Sequence, residues 1–130
     1  MPGNEQQAKV LLVEDDVGIS EMYATALRMA GYTVQTALDG AAGLVAAITE
    51  PPDVVLLDII LPELDGFDVL QRLKGNSKTA QIPVLLLSNL SQPEQVERGK
   101  VLGAVDYFVK ANHIPADIVR RLGELLPGRL

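Results

Sequence analysis

Apolar residues gather in five short runs, and the stretches between them repeat apolar positions every three or four residues. Val10–Val13, Val54–Leu57 and Val84–Leu87 are uninterrupted and short, the pattern of strands covered on both faces. Thr33–Ala37 and Val105–Val109 also read as extended, which gives five predicted strands, β1 to β5 in chain order. After β1, Ile19, Met22, Tyr23, Ala26, Leu27 and Ala30 fall at helical spacing and predict α1, opening at Val17, Gly18 and Ile19 and ending at Gly31. Helices α2 to α5 are predicted at Gly40–Thr49, Gly66–Leu73, Pro93–Leu102 and Pro115–Leu126. Pro51 and Pro52 stop α2, because proline lacks the N–H of the helical ladder and restricts the residue before it. Pro93 and Pro115 instead suit a first helical turn, where that N–H goes unused. Residues 1–8 read as a flexible polar tail, 9–126 as one domain and 127–130 as a C-terminal tail.

Strand and helix alternating five times predict a doubly wound α/β sandwich with a parallel five-stranded sheet in the order 2-1-3-4-5. The carboxyl ends of parallel strands share one edge, and ligands bind where the strand order reverses, here between β1 and β3. Polar residues that end four of the strands then converge: Glu14, Asp15 and Asp16 after β1, Asp58 after β3, Ser88 after β4 and Lys110 after β5.

Composition narrows the function. A chain of 130 residues suits a single core. Seventeen acidic against eleven basic residues give a net charge of -6, which disfavours binding to nucleic acid or anionic lipid. With no cysteine there is neither a disulfide framework nor a thiolate metal site. No apolar run approaches the roughly 20 residues of a membrane span, and the opening MPGNEQQAK lacks a signal peptide's apolar centre. The expectation is a soluble, cytoplasmic protein.

Each polar group has an ordinary explanation by itself. The acidic cluster would cap α1 and favour its dipole, Ser88 would be a satisfied strand-end hydroxyl, and Lys110 a solvated charge. Asp58 is harder to dismiss, because a carboxylate leaving a buried strand loses hydration. Each like-charged pair it makes with Glu14 or Asp15 costs about 4 kcal/mol at about 4 Å and an effective dielectric near 20. A hard divalent cation such as Mg²⁺ (or Mn²⁺) would offset that repulsion with few protein ligands and would share its shell with phosphate oxygens. A cation, a hydroxyl and an ammonium around one carboxylate suit a transferring phosphoryl group, with Asp58 as nucleophile.

In this order and spacing, VEDD after β1, DIILPELDG around Asp58, Ser88 after β4 and Lys110 after β5 resemble the receiver domain of two-component response regulators, over about Lys9 to Leu126. The resemblance implies the (βα)5 flavodoxin-like, CheY-like sandwich. It makes Asp58 the phosphoacceptor, Asp15 a direct Mg²⁺ ligand, Glu14 a ligand through water and Ile60 the donor of a backbone carbonyl. Asp16 becomes a helix cap, Ser88 and Lys110 the switch hydroxyl and phosphate-pairing lysine, and Tyr107 the aromatic switch residue. It implies a histidine kinase or histidine phosphotransfer protein as donor, docking near Val17 and Ile19, and a downstream protein on the α4-β5-α5 face. Tyr107 turning inward would remodel that face. Without the resemblance, Tyr107 is a strand aromatic packing on α4. His113, the single histidine, lies in a polar loop and reads as solvent-exposed, so the donor histidine belongs to another protein.

Two positions depart from the family pattern. Ala111 stands where receivers usually carry proline after the lysine, and a trans Lys110–Ala111 peptide is expected because cis costs a non-proline bond about 3 kcal/mol. Ile60 and Leu90, two residues beyond Asp58 and Ser88, are apolar where relatives carry acids or amides that orient water, which implies a long-lived aspartyl phosphate. Three other readings stand beside the single-domain switch. One is a receiver belonging to a hybrid kinase or longer regulator. Another is an aspartate-nucleophile phosphatase, disfavoured because its D-x-D would follow β1 and a cap would cover its substrate. The last is a flavin carrier, whose phosphate loop three carboxylates would repel.

Overall fold

The computed structural model describes residues 7–126, so residues 1–6 of the predicted 1–8 tail, and the predicted tail 127–130, lie outside the described residues. The strands are β1 (Lys9–Val13), β2 (Thr33–Ala37), β3 (Val54–Asp58), β4 (Val84–Ser88) and β5 (Asp106–Val109). The helices are α1 (Val17–Met29), α2 (Gly40–Thr49), α3 (Gly66–Lys74), α4 (Pro93–Val101) and α5 (Pro115–Leu125), with a 3-10 turn at Lys110–Asn112. All strand pairs are parallel, in the order β2-β1-β3-β4-β5. This is the predicted doubly wound sandwich.

Successive strand residues point to opposite faces, so each apolar run supplies both layers of core. Val10, Leu12, Val54, Leu56, Leu85 and Leu87 pack on one face beneath α1 and α5, against Tyr23, Leu27, Ile118 and Leu122. Leu11, Val13, Val55, Leu57, Val84 and Leu86 pack on the other, against Phe67, Leu70 and Leu73 of α3 and Tyr107 of β5. Every residue of β3 and β4 is buried, as continuous apolar runs require, whereas edge strand β2 is mostly exposed or half-buried. Asp16, Asp39 and Asp65 cap α1, α2 and α3 by accepting from the N–H groups of Ile19, Ala42 and Asp68.

Several boundaries differ from the sequence reading. Asp58 and Ser88 are the last residues of their strands rather than the first beyond them. Val105 falls outside β5 and is 40% exposed. The buried face of α1 is rotated by about one position from the expected stripe: Met22 and Ala30 are exposed, while Ser20 and Ala24 are buried. Short residues at 20 and 24 let the helix approach the sheet, a packing effect invisible to a count of large apolar side chains. Ala8, assigned to the tail, is buried and its carbonyl accepts from Thr33 N–H at 3.0 Å. In the polar 75–81 stretch, Thr79 is fully buried and its hydroxyl donates to the Leu73 carbonyl at 2.7 Å, satisfying the end of α3.

Gly66 brings α3 against the end of β3. A Cβ there would lie 2.3 Å from the Asp58 carbonyl oxygen and 2.6 Å from Ile59 Cα, both backbone atoms that cannot yield independently. Gly123, exposed on α5, would meet nothing within 4 Å. Gly66→Ala is therefore expected to lower stability by about 2 kcal/mol through overpacking, and Gly123→Ala to raise it by roughly 0.5–1 kcal/mol through helix propensity. Urea unfolding of both variants checks the opposite signs.

Candidate functional site

The carboxyl ends of β1, β3, β4 and β5 bring together the groups that the sequence placed there. Glu14 is 2% exposed, Asp58 6% and Ser88 0%, whereas Asp15 is open to solvent. Glu14, Asp15 and Asp58 each present a carboxylate oxygen within 4.8 Å of the others. Lys110 reaches across from β5: its ammonium donates to Glu14 Oε1 and, at 3.0 Å, to Asp58 Oδ2. The second oxygen of each carboxylate takes a local backbone N–H, Glu14 Oε2 from Asp16 at 3.1 Å and Asp58 Oδ1 from Ile60 at 3.3 Å. Every buried charge thus has a partner.

Burial pushes the Glu14 carboxyl above its ordinary value, and the Asp58 charge adds to this against the pull of Lys110 and the Asp16 N–H. Burial also works to lower Lys110, but the carboxylates of Glu14 and Asp58 outweigh it and the ammonium ends above its ordinary value. The lysine is therefore held protonated by the site it neutralises. The oxygen-only donor set suits Mg²⁺ or Mn²⁺ rather than a softer metal.

Ser88 Oγ accepts from Leu90 N–H at 3.2 Å, and the Leu90 carbonyl in turn accepts from the Tyr107 hydroxyl at 2.6 Å. Tyr107 is buried in the inward position, with burial raising its phenol. Asn89, which the sequence reading passed over, accepts from Ala111 N–H through Oδ1 at 3.0 Å. No peptide among the described residues is cis, Lys110–Ala111 included. Ile60 and Leu90 separate in character: Ile60 is 56% exposed, but Leu90 packs on the core. Val17 is 61% exposed, while Ile19 is half-buried against the α1 and α5 layer. Ile19 also lines, with Met22, Lys110 and Ile114, a groove of about 350 Å³ beside the site. His113 is exposed, pairs with Asp117 at 3.2 Å and leans on the Phe108 ring. A larger depression over Ala41, Val45 and Ala46 of α2 contains none of these groups.

Lys110→Met keeps most of the side-chain volume but leaves Glu14 and Asp58 without a counter-charge. The expected loss in metal-free buffer is about 3 kcal/mol. Lys9→Met, at the exposed pair with Glu50, is expected to change stability by less than about 1 kcal/mol. Urea midpoints of the two variants measured side by side give the comparison.

The geometry has counterparts. The chain is 41% identical over 117 residues to the DNA-binding dual master transcriptional regulator RpaA of Synechocystis, covering 90% of this chain and 47% of that protein. It is 40% identical over 121 residues to the probable transcriptional regulatory protein TcrX of Mycobacterium tuberculosis, covering 93% of this chain and 50% of the relative. It therefore spans about half the length of these curated relatives. Among solved structures, the chemotaxis response regulator CheY4 of Vibrio cholerae superposes with a TM-score of 0.85 at 33% identity, covering 92% of this chain and 98% of that one. The response regulator receiver domain family matches residues 10–122; with its parallel five-stranded sheet and the acid, hydroxyl and lysine groups gathered at one edge, this chain belongs to that family.

Proposed function

We propose that Asp58 accepts a phosphoryl group from a histidine of a partner kinase or phosphotransfer protein, and that the chain works as a signalling switch that catalyses only its own phosphorylation and dephosphorylation. The observation that carries this reading is the buried Asp58 carboxylate, with Lys110 at 3.0 Å and two further acids beside it. An Asp58 oxygen would attack phosphorus as the P–N bond breaks and its electron pair returns to the imidazole nitrogen. The buried Ser88 hydroxyl and the Lys110 ammonium would receive phosphoryl oxygens and stabilise their charge. Glu14, Asp15, Asp58 and the Ile60 carbonyl would hold Mg²⁺ or Mn²⁺, which supplies charge neutralisation between the acids and the incoming phosphoryl group.

Exposed Val17 and the groove lined by Ile19 support docking of the histidine-bearing partner beside Asp58. The output face would be α4-β5-α5, with Tyr107 as the link: its hydroxyl is bonded through Leu90 to Ser88 on one side, and its ring lies under Gly99 of α4 on the other. The half-length match to transcriptional regulators supports a second reading, a receiver segment of a longer regulator whose output domain meets the same face. No helix among the described residues is long and apolar enough to cross a membrane, which fits a partner met in solution.

Incubation with acetyl phosphate and Mg²⁺ is expected to add one phosphate per chain, read by intact mass. Asp58→Asn and chelation should each abolish it, and Asp15→Asn should raise the Mg²⁺ concentration required. Labelling that survives Asp58→Asn would defeat the assignment. A further expectation concerns lifetime. Ile60→Asn introduces an amide at an exposed position with little packing to lose, and should speed phosphate loss by about tenfold, short of the roughly hundredfold of a positioned general base. An unchanged half-life would refute the role given to Ile60.

A further inference from the structure

Sheet pairing between β4 and β5 ends at Ser88 and Val109, one residue short of Lys110. From there the chain turns at once into the 3-10 turn Lys110–Asn112. Lysine has four rotatable side-chain bonds, so its ammonium is only as well placed as the backbone that carries it. Apart from the strand ladder, two hydrogen bonds among the described residues tie the backbone of that turn to residues outside it. His113 N–H donates locally to the Lys110 carbonyl at 3.3 Å, and Ala111 N–H donates at 3.0 Å to Asn89 Oδ1, the side chain next to Ser88. A backbone N–H can only donate, so the amide oxygen is the atom engaged. Proline at 111 would have no N–H to offer; alanine has one, and Asn89 uses it. Asn89 is exposed and contributes nothing to either core layer.

We infer that Asn89 is a positioning residue for phosphoryl chemistry at Asp58: its side chain adds one rung beyond the end of the β4-β5 ladder and fixes Lys110 relative to Ser88. The two groups that would receive phosphoryl oxygens are thereby tied to each other and not only to their own strands. This inference rests on the phosphoacceptor reading of Asp58.

The test is a double-mutant cycle between Asn89→Ala and Ala111→Pro, with two readouts on the full chain: the rate of Asp58 labelling by acetyl phosphate at excess Mg²⁺, and exchange of the Ala111 amide followed in ¹⁵N–¹H spectra. Asn89→Ala is expected to slow labelling by about fivefold, the size of one neutral hydrogen bond, and to speed Ala111 exchange by a similar factor. In the Ala111→Pro background, where there is no N–H to hold, adding Asn89→Ala should leave the labelling rate unchanged. The same loss in both backgrounds, or equal Ala111 exchange with and without the Asn89 amide, overturns the inference. If the unmodified chain takes no label while its Ala111 amide depends on Asn89 for protection, the phosphoacceptor reading fails and the positioning role with it, leaving only an anchor.

Discussion

One ammonium holds this site together. Glu14 and Asp58 are both buried at the ends of adjacent strands, and Lys110 donates to each. Without it, two carboxylates would face one another in a low-dielectric crevice at a cost of about 4 kcal/mol per close pair. With it, the same repulsion becomes a usable property. Three carboxylates against one ammonium leave negative charge in excess, which the proposed divalent cation would offset as it and a phosphoryl group exchange partners with Lys110.

That exchange is possible because the frame around it is rigid. β3 and β4 are buried along their whole length, and alternate residues of each strand feed two separate core layers. Gly66 allows α3 to press on the Asp58–Ile59 backbone, and Asp65 caps the same helix, so Asp58 is fixed from behind as well as along its strand. Support weakens toward β5, an edge strand whose residues are mostly half-buried. Lys110, the group that would exchange partners, and Tyr107, the proposed link to α4, come from this less buried side. Gly99, whose Cβ would lie 2.5 Å from Leu86 Cδ1 and 3.3 Å from Tyr107 Cδ2, is where α4 comes nearest to Tyr107. Direct contacts thus run from Ser88 through Leu90 and Tyr107 to α4.

The strand runs, the helix spacing and the order of the polar strand ends were legible because short continuous apolar runs mark strands covered on both faces, a 3.6-residue spacing marks helices, and their alternation fixes which residues end the strands. Legibility failed where a residue's role depends on what lies across the fold. Ser20 and Ala24 share the buried face of α1 with Tyr23 and Leu27 because small residues permit close approach, which a stripe of large apolar side chains does not reveal. Thr79 sits in a polar loop yet is fully buried, since the end of α3 needs a donor for the Leu73 carbonyl. Asn89 followed a predicted strand like any loop residue, and its link to Ala111 spans 22 positions. Leu90 and Ile60 look alike as apolar departures, but one packs on the core and the other faces solvent.

By itself the sequence determined the layered α/β architecture, the parallel sheet and the set of residues able to gather at its carboxyl edge, because burial pattern and chain connectivity constrain those choices locally. Tertiary structure alone decided which oxygens Lys110 engages, that Tyr107 lies inward with its hydroxyl on the Leu90 carbonyl, and that Asn89 bridges two loops. Such pairings depend on distances of a few ångströms between segments far apart in the chain, and side-chain hydrogen bonds at that range leave no periodic trace in the order of residues.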